Sequence, residues 1–218
     1  MEIVSLIKVN LQVETSGYLR TQRDRCGREI MPPTTSPWED QCSSQYPGMK
    51  CFDAGDPRVN QQPTLQMVHT LWLRAHNRHA RQLSYVNPKW DDERLFQEAR
   101  RIVIAQLQYI TYAEYLPIVF GPTLMKYYDL DVSSPGYTRY EPYTDPTTWN
   151  DYAAAACRFG HSQISNFFSL VGYPSNYTNP YQYGRDGNRP GFWLRDWFFD
   201  PKLMYDCQVS IHYFREYS

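Results

Sequence analysis

Two groups of side chains in this sequence could act on a bound molecule. The first is Arg158 and His161, three residues apart in CRFGHSQI. On a helix such a pair lies on nearly one side. A neutral imidazole there can ligate a metal through one ring nitrogen, and a guanidinium one turn away can pair with a carboxylate. Ala153, Ala156 and Gly160 line the adjoining face with small side chains, so a flat object or another backbone could approach closely. The second group is Arg58, in CFDAGDPRVNQQP. A permanently charged guanidinium beside a turn and an apolar helix needs an anionic or strongly polar partner. Taken singly, a helix histidine also suits a hydrogen-bonded core, and an arginine suits a helix start.

Three long helices are expected to position these residues. Gly55-Asp56-Pro57 reads as a turn, and Pro63 suits a first helical turn, where its missing N–H needs no partner. The run TLQMVHTLWLRAHNRHARQL predicts a helix from about Thr64 to Leu83 that buries Leu65, Val68, Trp72, Ala75, His79 and Leu83. Asn87-Pro88 breaks the chain, and Asp91 or Asp92 caps a second helix from about Glu93 to Tyr112. Its stripe is Leu95, Ala99, Ile102, Val103 and Ile110, and YLPIVFGP ends it. Asp145-Pro146 predicts a third helix reaching about Leu170, with Trp149, Ala153, Ala156, Gly160, Ile164 and Phe167 at helical spacing. Residues 17–50, 126–145 and 172–191 read as loops, and GFWLRDWFFDPKLMY as a short aromatic segment. Arg74, Arg78 and Arg81 read as a solvated face, and His76 with His79 lack a third metal ligand.

The whole chain narrows the function classes. At 218 residues it is long enough for one sizeable domain. A net charge of −1 gives no electrostatic case for nucleic acid or an anionic membrane. No run of apolar residues reaches transmembrane length, and MEIVSLIKVNLQVETS is a poor signal peptide, being acidic at its start and interrupted by Lys8. No phosphate-cradling glycine loop or nucleophile triad occurs. The five cysteines, Cys26, Cys42, Cys51, Cys157 and Cys207, include no CxxC pair, and their odd number leaves at least one thiol unpaired. Asn176-Tyr177-Thr178 is a glycosylation sequon for a secreted chain.

CFDAGDPRVNQQP, MVHTLWLRAHNRHARQL, NPKWDDERLFQEARRIVIAQLQYITYAEYLPIVFG and CRFGHSQI, in that order and at these intervals, resemble the animal haem peroxidases, a family that includes peroxinectin, chorion peroxidase and peroxidasin. The resemblance covers residues 17–203, as a partial peroxidase domain between an unassigned segment, 1–16, and an unmatched tail, 204–218. It implies a mainly α fold of long helices joined by Pro/Tyr-rich loops, with very little β. It implies a secreted oxidoreductase that reduces hydrogen peroxide while oxidising an organic or halide donor, with a role in oxidative stress.

In that reading His161 is the axial ligand of the haem iron, Arg158 contacts a haem propionate, Arg58 is the distal arginine, and Cys42 pairs with Cys51. Gln61 stands where the family commonly has a glutamate esterified to the haem, which implies haem b held without that bond. Ala75 replaces the glutamate of the family's REHNR-like motif. The distal histidine, a second ester-forming carboxylate and the calcium loop of the family would precede residue 1, and the asparagine that orients the proximal histidine would follow Ser218. This implies a truncated chain with impaired activity alone, whose partner is the remainder of the domain. A non-catalytic binding module and an incomplete gene product are the alternatives.

Overall fold

Extended backbone needs hydrogen-bond partners wherever it is buried, and in this protein a helix supplies many of them through its side chains. The computed structural model describes residues 16–35, 48–132, 141–169, 185–186 and 189–205. The chain divides into two compact units, residues 1–104 with 166–218 and residues 105–165.

In the first unit a short hairpin pairs β1 (Gln22–Arg23) antiparallel with β2 (Glu29–Ile30). Asp24 closes its turn, accepting from the Cys26 and Arg28 N–H groups and from Arg28 Nε at 2.6 Å. This hairpin lies inside the stretch read from sequence as loop. A 3₁₀ turn over Pro57–Asn60 leads into α1 (Pro63–Val86). Pro63 opens that helix as expected, and the Gln62 side chain caps it by accepting from the Thr64 N–H and hydroxyl.

The buried face of α1 differs from the expected one. It is Gln66, Thr70, Leu73, His76, Asn77 and Ala80 that are buried, while Leu65, Trp72, Ala75, His79 and Leu83 are half-buried and Val68 is exposed. Counting apolar residues misplaces the face because two of its polar members, His76 and Asn77, carry hydrogen bonds to another segment. Asn77 accepts from the Leu19 N–H at 2.8 Å and donates to the Leu19 carbonyl at 3.1 Å, so its amide acts as a strand partner. His76 Nε2 donates to the Gly17 carbonyl at 2.9 Å, and its ring tilts against Phe96. Gly17 has φ +69°, and a Cβ there would lie 2.5 Å from the Phe96 backbone nitrogen, so this close crossing requires glycine. Arg74, read as solvated, also reaches inward, donating to the Glu29 carbonyl.

Asp91 caps α2 (Asp92–Tyr109) through the Arg94 N–H. Leu95, Phe96, Ala99 and Val103 are its buried residues, with Phe96 in the stripe rather than the exposed Ile110. A three-stranded antiparallel sheet follows later in the chain: β5 (Arg189–Trp193) lies between β3 (Phe167–Ser169) and β4 (Arg185–Asp186). Phe192, Leu194, Trp197 and Leu203 pack as one cluster with Met67 of α1 and Phe168 of β3. Tyr205, ending the short helix over Lys202–Tyr205, stacks on Phe52 at 5.4 Å. Its hydroxyl donates to the Lys50 carbonyl at 2.8 Å and accepts from Gln22 Nε2 at 3.0 Å.

The division between units falls inside α2. In the second unit the helix widens to a π-turn over Ile110–Tyr115, with the Leu116 N–H reaching the Thr111 carbonyl. Pro117 explains the widening, since it has no N–H for the regular ladder. A further helix, α3 (Leu116–Tyr127), begins with that proline in its first turn and kinks at Gly121, φ +74°, before Pro122. The expected single helix over 145–170 is a correction. Only Asn150–Ala154 forms an α-helix, here α4, followed by a 3₁₀ run over Ala156–Gln163 and then by β3. Asp145 makes a local turn with the Thr147 N–H instead of a helix cap. Trp149, Ala153, Ala156 and Ile164, expected at helical spacing, are all exposed. A short helix draws most of its stability from packing an apolar face, and this one has none to sustain it.

The mainly α fold expected from sequence is the fold observed, with only short strands among the described residues.

Replacing Asn77 by Ala strands the Leu19 backbone groups, and a loss of about 2–4 kcal/mol is expected in denaturant unfolding. Burial also holds the His76 imidazole at a pKa of about 4, below the 6.5 of an unfolded chain. Between those values the unfolded chain binds a proton that the folded one excludes, so stability falls as pH drops from 6.5 towards 4, by roughly 3 kcal/mol in all. Thermal unfolding across that window should show the loss, and His76→Gln should flatten it.

Candidate functional site

The residues that could do chemistry are built into the two units separately. Arg58 sits in the 3₁₀ turn Pro57–Asn60 of the first unit, and the turn is anchored on both sides. The buried Asn60 accepts from the Phe52 N–H and donates to the Phe52 carbonyl, both at 2.9 Å. The Gln61 carbonyl accepts from the Phe199 N–H at 3.0 Å. The Gln61 side chain is exposed, so the amide at this position faces outward.

Sequence reasoning missed the partner of Arg58. Asp56 grips the guanidinium with both carboxylate oxygens, Oδ1 accepting from Nε at 2.9 Å and Oδ2 from Nη2 at 2.6 Å. Oδ1 also accepts from the Arg58 backbone N–H at 2.8 Å. The Arg58 hydrogen bond, more than anything else, holds the Asp56 carboxyl below its ordinary pKa. The signal was present in the Asp-Pro-Arg spacing, where a side chain two residues before an N–H can cap it.

His69 belongs to the same neighbourhood. Its Nδ1 lies 2.8 Å from the Leu65 carbonyl, which can only accept, so Nδ1 carries the ring proton. Nε2 is buried and has no hydrogen-bond partner among the described residues. Burial lowers the His69 pKa most; Asp56 opposes that shift and Arg58 adds to it.

In the second unit Arg158 and His161 lie in the 3₁₀ run Ala156–Gln163, and both are exposed. With three residues per turn, positions i and i+3 of such a run eclipse one another. The pair therefore shares one side even though the expected α-helix is absent. Arg158 Nε donates to the Ala153 carbonyl at 3.1 Å, and the His161 ring makes no hydrogen bond among the described residues. Among those residues no group of three His, Cys, Asp or Glu side chains could hold a metal ion.

Of the cysteines, Cys26 and Cys51 are disulfide-bonded and Cys157 is a free, exposed thiol. Cys42, expected to pair with Cys51, lies outside the described residues, as do Cys207 and the sequon at Asn176.

The animal haem peroxidase family model matches residues 7–215. The chain belongs to the animal haem peroxidase family. It is 41% identical over 162 residues to chorion peroxidase of Drosophila melanogaster, covering 74% of this chain and 20% of that protein. Human myeloperoxidase is 43% identical over 143 residues, 65% of this chain and 18% of that protein. The chain thus spans about a fifth of the length of these relatives. Among solved structures it is similar to peroxidase A of Dictyostelium discoideum, at a TM-score of 0.64 and 30% identity, covering 90% of this chain and 34% of that one. No helix among the described residues is long and apolar enough to cross a membrane.

A thiol-alkylating reagent applied to the native protein should label Cys157 and spare Cys26 and Cys51 until reductant is added, as peptide mass mapping would read.

Proposed function

We propose that this chain is part of a haem peroxidase, reducing hydrogen peroxide while a small organic or halide donor is oxidised. The observation that carries the reading is the RFGHS stretch, in which Arg158 and His161 stand one 3₁₀ turn apart on the same exposed side in a chain of this family. The residues fit the group. An exposed imidazole suits an iron ligand, and the neighbouring guanidinium suits a propionate. Haem b, when bound, supplies the redox-active iron.

The chain's own residues then have distinct tasks. His161 would hold the iron, and Arg158 would pair with a haem propionate. Arg58 would be the distal arginine, a fixed cation suited to stabilising negative charge that develops on a peroxide oxygen. Gln61 offers an amide where a carboxylate would be needed for an ester, so haem b would be held here without that covalent bond. Calcium in this family is assigned to a segment that does not match these residues.

The remainder of a peroxidase domain is the proposed macromolecular partner, and the exposed Ile118, Tyr127 and Trp149 of the second unit are apolar residues it would cover. Extracellular residence is supported by the disulfide-bonded Cys26 and Cys51, since disulfides persist in oxidising compartments.

A non-catalytic module derived from the same fold is the second reading, favoured by Gln61 at the ester position. Titrating the purified chain with hemin separates the two. A peroxidase segment takes up about one haem per chain with a Soret band that shifts on binding, and His161→Ala weakens uptake by about tenfold or more. Haem-dependent oxidation of a phenol by peroxide should follow, slowly for this chain alone. A chain that folds but takes up no haem would sink the peroxidase reading, and haem uptake without turnover would favour the module.

A further inference from the structure

Arg58 is constrained by a contact from its own turn. Asp56 is extended, at φ −109° and ψ 125°, and caps the turn that Pro57 stiffens by fixing its φ and lacking an N–H. Its carboxylate meets the guanidinium fork with two parallel bonds, Nε to Oδ1 at 2.9 Å and Nη2 to Oδ2 at 2.6 Å, which fixes the plane of the group as well as its distance. A single-point contact would leave that plane free to turn. The two partners are unequally exposed: the side chain of Asp56 is 13% accessible, that of Arg58 47%. The carboxylate is thus the inner anchor, and the cation faces outward.

We propose that Asp56 is the positioning residue for Arg58, setting the direction in which the guanidinium presents its charge to a bound peroxide or small anion. This rests on the peroxidase reading for its substrate. The anchoring itself rests on the geometry of the turn, which Asn60 locks to Phe52 and Gln61 to Phe199. The charged and titratable groups that act on Asp56 are Arg58 and His69. Because its carboxyl is held below the ordinary value, the clamp stays intact through neutral pH and is released only when acid protonates it.

Asp56→Asn keeps an oxygen to cap the turn but loses the charged fork, and Arg58→Lys keeps the charge while leaving the cap untouched. In the haem-loaded chain each should slow reaction with hydrogen peroxide by about tenfold with haem affinity unchanged, and the double variant should be no slower than either. The acid limb of the wild-type rate profile should vanish in Asp56→Asn. Independently of haem, the Arg58 Nε–Hε resonance of the wild-type chain should show restricted guanidinium rotation, and Asp56→Asn should release it while the Phe52 and Asn60 amides stay in place.

Unchanged Arg58 dynamics in Asp56→Asn would overturn the proposal, as would loss of the Phe52 and Asn60 signals together with those of Arg58, which would make Asp56 a structural cap only. If Asp56→Asn does not fold, Arg58→Lys decides alone: an unchanged peroxide rate contradicts the proposal. A wild-type chain that takes up no haem defeats the peroxidase reading, and the Arg58 resonance still decides the role of Asp56.

Discussion

Two asparagine side chains do for this protein what a neighbouring strand does in a sheet. Asn77 satisfies both backbone groups of Leu19, and Asn60 satisfies both of Phe52. Leu19 and Phe52 belong to extended segments whose buried N–H and C=O groups would otherwise be stranded, at a cost of about 1–3 kcal/mol each. Once those segments are tied down, the rest of the first unit closes on them. Phe52 becomes a platform for Tyr205, whose hydroxyl joins Lys50 and Gln22. Gly17 comes close enough to α2 that a side chain there would collide with Phe96. The same Asn60 terminates the turn that carries Arg58, so it anchors both the loop and the candidate cation's turn.

The two candidate groups rest on different kinds of support. Arg58 is held by a carboxylate, and its turn by a buried asparagine bonded to Phe52 and a backbone bond from Phe199 to Gln61, all within one unit. Arg158 and His161 are held by local 3₁₀ geometry, which aligns them whatever their surroundings. An arginine that must face developing charge gains from a fixed plane, because orientation decides how much of its charge is felt. A histidine that ligates a metal needs chiefly an accessible nitrogen, and its orientation is completed by what it binds.

Much of the fold could be read from residue order because its signals are local. Pro63 marked the start of α1 and Asp91 the cap of α2, since a proline without an N–H and a carboxylate near open N–H groups act on their immediate neighbours. The buried face of α1 could not be read so simply. Its Gln66, Thr70, His76 and Asn77 look solvent-facing in a pattern of apolar residues, and the partners of His76 and Asn77, Gly17 and Leu19, are far away in sequence. The third helix failed for the opposite reason: its helical spacing predicted one continuous helix, but α4 and the following 3₁₀ run have no buried face to sustain it. Arg58, Arg158 and His161 were singled out because long motifs carried them. Asp56 was not, because a carboxylate in a turn reads as turn chemistry until its second oxygen is seen on the guanidinium.

The central functional claim is that His161 is the iron ligand of a bound haem. Resonance Raman spectroscopy of the ferrous, haem-loaded chain reads that bond directly, through the stretching mode between iron and an imidazole nitrogen. The account predicts that this mode is present in the wild type and lost in His161→Ala, while His69→Ala and His76→Gln retain it. A mode that survives His161→Ala, or that disappears with His69, would contradict it and move the iron ligand to another histidine.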